Sequence, residues 1–116
     1  MTLPWQDPPV RYRLVDVERG VPCRLPDGVT LFADVYRPRG DGPWPVLLMR
    51  VPYDKSVAQA YAYAPPLWYA RYGYLVVVQD CRGRWASEGE WYPLRHEADD
   101  GVHTVGWAAR LPGSNG

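Results

Sequence analysis

Apolar and polar positions alternate in some stretches of this chain and cluster in others, and each change of pattern marks an element. Residues 29–37 alternate most cleanly: Val29, Leu31, Ala33 and Val35 fall on one side, and Thr30, Phe32, Asp34 and Tyr36 on the other. Successive side chains of a strand point to opposite faces, so this period predicts a strand with one face turned inward. Residues 12–25 are strand-like but less even, and they run into Pro26-Asp27-Gly28. Proline presets φ, aspartate bonds its own backbone and glycine reaches positive φ, so the trio predicts a turn. The two runs around it form an antiparallel hairpin.

Two later runs are apolar throughout. Residues 46–49 are one, and residues 74–78 (YLVVV) are the other, continuing to a break at Gln79-Asp80. Short β-branched runs bounded by polar and glycine-rich residues predict strands buried on both faces. Between them Pro65-Pro66 opens, and Gly73 closes, a short helix over residues 67–72. A second helix is expected over residues 96–110. There Ala98, Val102, Val105, Trp107, Ala108 and Ala109 recur at three- and four-residue spacing, with Glu97, Asp99 and Asp100 in the first turns and Arg110 at the end. The order hairpin, strand, helix, strand, helix predicts an α/β fold, and the crossover sets the last two strands parallel. Two helices cover little of such a sheet. An unpaired edge and self-association through it are therefore expected.

Charge and composition narrow the partners. Thirteen Lys and Arg balance thirteen Asp and Glu. Without a basic excess, neither nucleic acid nor an anionic membrane surface is expected as a partner. Residues 1–9 are polar and proline-rich, and no apolar run reaches membrane-spanning length, so a cytoplasmic protein is expected. Cys23 and Cys81 alone indicate neither a disulfide framework nor a zinc site, and no metal or organic cofactor is implied. Six Trp and nine Tyr stand against one Phe. Such residues suit pocket walls and interfaces, and residues 61–74 with Trp85 and Trp91 leave open a non-catalytic, aromatic-rich interaction module.

Candidate chemistry is sparse. Ser56, Ser87 and Ser114 stand in no G-x-S-x-G turn, and His96 and His103 share a helix face without a third metal ligand. Cys81 follows the second apolar strand, where a small buried hydrophobe is the ordinary occupant. Tyr53 differs, because it comes just past the end of the first apolar strand, behind Pro52 and between Arg50 and Asp54-Lys55. A phenol held there can donate a hydrogen bond to a developing oxyanion, or it can be a surface tyrosine.

Seven blocks in order carry a family likeness: residues 27–29 (DGV), 34–38 (DVYRP), 45–48 (PVLL), 52–55 (PYDK), 72–80 (YGYLVVVQD), 82–83 (RG) and 87–90 (SEGE). Glu97, Asp100-Gly101 and Trp107 extend it. Together they resemble the amino-terminal part of the X-Pro dipeptidyl-peptidase and cocaine esterase (CocE/NonD) family of α/β-hydrolases. The resemblance implies a partial α/β-hydrolase sheet: an amino-terminal antiparallel hairpin, then two parallel strands with their crossover helix and a following helix. It also implies a serine hydrolase that cleaves small esters, amides or peptides through an acyl-enzyme. Tyr53 matches the family's oxyanion-hole tyrosine. Asp80, Arg82, Glu88 and Glu97 would support the site, with Arg82 paired to an acid such as Glu88 or Glu97.

The family's nucleophile turn lies beyond the counterpart of residues 112–116, and its acid and histidine come later still. Residues 1–20 are thus expected to be a lead-in and the start of the first strand. Residues 21–116 are expected to be the amino-terminal part of a catalytic domain, cut before the nucleophile. On that expectation the chain carries half of an oxyanion hole and no triad, and is inactive alone.

Overall fold

The computed structural model describes residues 9–52, 54–56, 64–92 and 95–116. The elements follow in the expected order among the described residues: β1 (Val15–Arg24), β2 (Thr30–Pro38), β3 (Val46–Val51), α1 (Pro66–Arg71), β4 (Leu75–Asp80) and α2 (Glu97–Ala109). They form a mixed sheet of order β1-β2-β4-β3. β1 and β2 are antiparallel, from Val15 opposite Pro38 to Arg24 opposite Thr30. Their turn works as its residues require: Asp27 Oδ1 accepts the Val29 N–H at 3.1 Å, and Gly28 takes φ 90°. β2 runs antiparallel and β3 parallel to β4. The valine-rich β4 is therefore central, and all of its residues are buried. β3 outlasts its apolar run, because Arg50 and Val51 still pair with Gln79 and Asp80.

The inward side of β2 is not a single face. Ala33 and Val35 pack with Leu75, Val77 and Trp44, where Trp107 and Leu111 join from α2 and the residues after it. Tyr36 packs on the opposite face with Val51, Val76, Val78 and Ala70 of α1. With one helix on each side, Asp34 is buried as completely as its apolar neighbours.

α2 also differs from its expected apolar stripe. Asp100, Thr104 and Ala108 are its buried residues, while Val102 and Val105 are 71% and 60% exposed. The cause lies in what the helix covers. Gln79 at the end of β4 takes a 3.0 Å hydrogen bond from the Thr104 hydroxyl, and Arg82 takes the Asp100 carboxylate. Burying those strand-end groups against valine would strand them without partners.

β3 lies at the sheet margin. Trp44, just ahead of it, makes a parallel bridge with Ser114. The Trp44 N–H reaches the Gly113 carbonyl at 2.7 Å, and the Asn115 N–H reaches the Trp44 carbonyl at 2.9 Å. The residues after α2 thus return to pair at the start of β3.

Candidate functional site

β3 and β4 end side by side at Val51 and Asp80. Loops leaving the carboxyl ends of parallel strands are where open α/β sheets handle ligands. Tyr53 lies outside the described residues, but Pro52 and Asp54, its chain neighbours, lie within them. Asp80 brackets the two loops. Its Oδ1 accepts the Lys55 N–H at 2.7 Å and its Oδ2 accepts the Ala86 N–H at 3.1 Å. Its own carbonyl accepts the Ser87 hydroxyl at 2.6 Å. The Pro52 carbonyl is held from the other loop by Arg84 Nε at 3.0 Å and Trp85 Nε1 at 3.1 Å. Asp54 has φ 106°, and its carboxylate accepts both the N–H and the O–H of Ser56.

Lys55 also sends its ammonium inward, 2.9 Å from Asp34 Oδ1. Asp34 is held by Arg19 at 2.7 Å and by the Gly20 N–H at 3.1 Å as well. A register shift between Glu18 and Val21, with Gly20 at φ 66°, turns that amide toward the carboxylate. Burial alone pushes the Asp34 carboxyl up, but the bonds from Arg19, Lys55 and Gly20 outweigh it and hold it below the usual value. In Asp80 burial wins over the two amides, and the carboxyl is raised.

Arg82 does not pair with Glu88 or Glu97. Its Nε and Nη2 meet Asp100 at 2.9 and 3.0 Å, and its Nη1 meets Asp27 at 2.8 Å. The reason is positional. Glu97, one turn earlier on α2, is taken by Arg50 of β3 at 3.0 Å. Glu88 is taken by β2, accepting the Thr30 N–H on its carboxylate and donating its own N–H to the Thr30 carbonyl. The loop itself depends on Gly83, where φ is 71° and an added Cβ would stand 2.2 Å from the Trp91 nitrogen. The sequence pointed to Asp27 only as a turn residue and to Asp100 only as an acid at the start of a helix, and it singled out neither Asp34 nor Lys55. Asp34 sits on the second side of an alternating strand, between Phe32 and Tyr36, which α1 covers in the folded chain.

The other nucleophile candidates are committed elsewhere. Cys81 is buried, and burial with the nearby Glu97 charge pushes its thiol up to about 12. Ser87 donates to Asp80 and accepts the Phe32 N–H at 2.9 Å. Ser56 donates to Asp54, and Ser114 accepts from Gly116. His96 and His103 line a cleft of about 150 Å³ with Asp27, Arg82, Asp99 and Asp100. Among the described residues no three His, Cys, Asp or Glu are grouped to hold a metal ion, and no helix is long and apolar enough to cross a membrane. An apolar cleft of about 250 Å³ runs beside β3, lined by Leu47, Met49, Tyr69 and Val78. It contains none of the bracketing residues. Of the aromatic candidates, Tyr61 and Tyr63 lie outside the described residues. Trp68 packs edge-on against Tyr69, and Trp85 is 61% exposed beneath the Arg84 guanidinium.

Residues 27–116 match the family described as X-Pro dipeptidyl-peptidase (S15 family). Cocaine esterase from Rhodococcus sp. (strain MB1 Bresler) is 48% identical over 89 residues, which span 75% of this chain and 15% of that protein. A CocE/NonD family hydrolase from Staphylococcus aureus superposes with a TM-score of 0.76 at 27% identity, over 88% of this chain and 22% of that one. An alpha-amino acid ester hydrolase superposes with a TM-score of 0.73 at 26% identity, over 97% of this chain and 22% of that one. The likeness therefore reaches across most of this chain and a small part of each relative.

Proposed function

The chain belongs to the X-Pro dipeptidyl-peptidase (S15) family, and on that premise we propose that it forms the amino-terminal part of a serine hydrolase catalytic domain. The whole enzyme hydrolyses a small ester, or an X-Pro peptide or amide, through an acyl-enzyme. A serine outside these residues attacks the substrate carbonyl, and the Tyr53 phenol donates a hydrogen bond to the oxygen that becomes the oxyanion. Such a donor counts most in the transition state, where the negative charge is largest. Asp80, Arg82, Glu88 and Glu97 support the site by holding strand ends and loops.

The observation that carries this reading is the bracket at the strand ends. The family match runs through it, and both chain neighbours of Tyr53 belong to a segment tied down by Asp80, Arg84 and Trp85. The parallel bridge between Ser114 and Trp44 adds support, since it brings the residues after α2 back to the chain just ahead of β3. The serines here are all bonded in turns or loops, so the 116 residues alone are read as inactive.

The test is Tyr53→Phe in the complete hydrolase carrying this segment, assayed on a p-nitrophenyl ester. The expected loss in kcat is about 10²–10³, with little change in KM. An unchanged kcat rejects the role of Tyr53.

A further inference from the structure

Lys55 turns its side chain inward onto the sheet, and that has a geometric result. Its side chain is 11% exposed and ends on Asp34, which is fully buried. A lysine on a loop ordinarily keeps its ammonium in water, because removing it costs free energy unless it is paired. Lys55 shares the neutralisation of Asp34 with Arg19 and the Gly20 amide, which also bond that carboxylate. What the third bond adds is a tether from the loop after β3 to a strand two places away in the sheet.

The tether acts with a second one. The Lys55 amide is fixed to Asp80 on β4 while its ammonium is fixed to Asp34 on β2. Asp34 pairs with Val78, two residues before Asp80, so both anchors stand on the same sheet face. Two anchors on adjacent strands set both the position and the direction of the backbone that leaves residue 54. A separate observation agrees. Asp54 sits at φ 106°, a region that non-glycine residues hold only when their surroundings impose it. The carbonyl of Pro52 is pinned from the opposite loop. Pro52 on one side and Lys55 on the other are thus both fixed to neighbouring elements.

We propose that Lys55 is a positioning residue, which through Asp34 and Asp80 aims the backbone carrying Tyr53 so that the phenol meets the oxyanion. This rests on the reading of Tyr53 given above. Lys55 itself does not touch substrate, because its ammonium is committed to Asp34.

The experiment is a double-mutant cycle in the complete hydrolase, with kcat and KM measured on a p-nitrophenyl ester for Lys55→Met, Lys55→Arg, Tyr53→Phe and Lys55→Met/Tyr53→Phe. Lys55→Met is expected to lower kcat by about 10- to 10²-fold, the scale of a misplacement near 1 Å, with KM changed less than about threefold. Lys55→Arg restores part of the loss. The double variant is no slower than Tyr53→Phe, because the tether works only through the phenol. An unchanged kcat in Lys55→Met, or losses that multiply in the double variant, overturns the proposal and leaves Tyr53 standing. If Tyr53→Phe has no effect while Lys55→Met is slow, the tyrosine reading itself has failed, and the proposal falls with it. Should Lys55→Met not fold, Asp34→Asn loosens the same tether. Hydrogen exchange over residues 50–56 is then expected to quicken while β4 stays protected, and equal protection in that peptide overturns the proposal.

Discussion

Replacing Arg82 by methionine tests the assignment of its partners. Arg82 is 11% and Asp100 4% exposed at the side chain, and two hydrogen bonds of 2.9 and 3.0 Å join them. Arg82→Met removes the one cation bonded to the Asp100 carboxylate among the described residues and leaves that charge inside the interface between α2 and the sheet. Breaking a buried pair in this way costs about 3–5 kcal/mol. Asp27 is 54% exposed, so its loss in Asp27→Ala is expected to cost less than about 1 kcal/mol. Domains of this kind have about 5–15 kcal/mol in total, so the first change is severe. At a urea m-value of about 1.5 kcal/mol/M, it moves the midpoint down by about 2–3 M. Six tryptophans give a fluorescence signal for the titration. Arg82→Met/Asp100→Leu replaces both partners with apolar groups and is expected to recover to within about 2 kcal/mol of the parent. An Arg82→Met variant within about 1 kcal/mol of the parent, or a double variant less stable than Arg82→Met, refutes the reasoning.

Two further outcomes follow from the same electrostatics. With its thiol pushed up to about 12 by burial and Glu97, Cys81 is expected to resist iodoacetamide at pH 8 in the folded protein and to react in urea; rapid native labelling, read by mass spectrometry, contradicts this. The Asp34 carboxyl lies below its ordinary 3.8, so it stabilises the fold above that pH and stops doing so as pH falls through the lower folded value. The gap in urea midpoint between parent and Asp34→Asn is therefore expected to shrink from pH 7 toward pH 2, and a constant or widening gap counts against the Asp34 cluster.

What the sequence made legible was local. Pro26-Asp27-Gly28 specifies its turn by backbone chemistry, and the valine run specifies a central strand by having no polar face to offer water. Those two features, with the Pro-Pro and Gly limits of α1, lead to the observed order of elements. What stayed hidden was which polar residue faces which. Asp34 belongs to an alternating strand, and alternation does not reveal that α1 covers the second face. Arg82 has acids on all sides in sequence. Its choice of Asp100 follows from Arg50 having taken Glu97, a contact between β3 and α2 that no spacing rule contains. The inward turn of Thr104 and Asp100 has the same origin, because polar strand ends overrode the apolar stripe of α2. The candidate role of Tyr53 comes from the family likeness at residues 52–55, whereas the tether from Lys55 to Asp34 needed the assembled sheet.

The central claim is that these residues supply the sheet and an oxyanion donor to a nucleophile located elsewhere in the enzyme. Fluorophosphonate labelling of the complete hydrolase, with the modified peptide identified by mass spectrometry, addresses it directly. The expected result is a single labelled serine outside residues 1–116, with labelling slowed in Tyr53→Phe. A label on Ser56, Ser87 or Ser114, or no label on active enzyme, contradicts it.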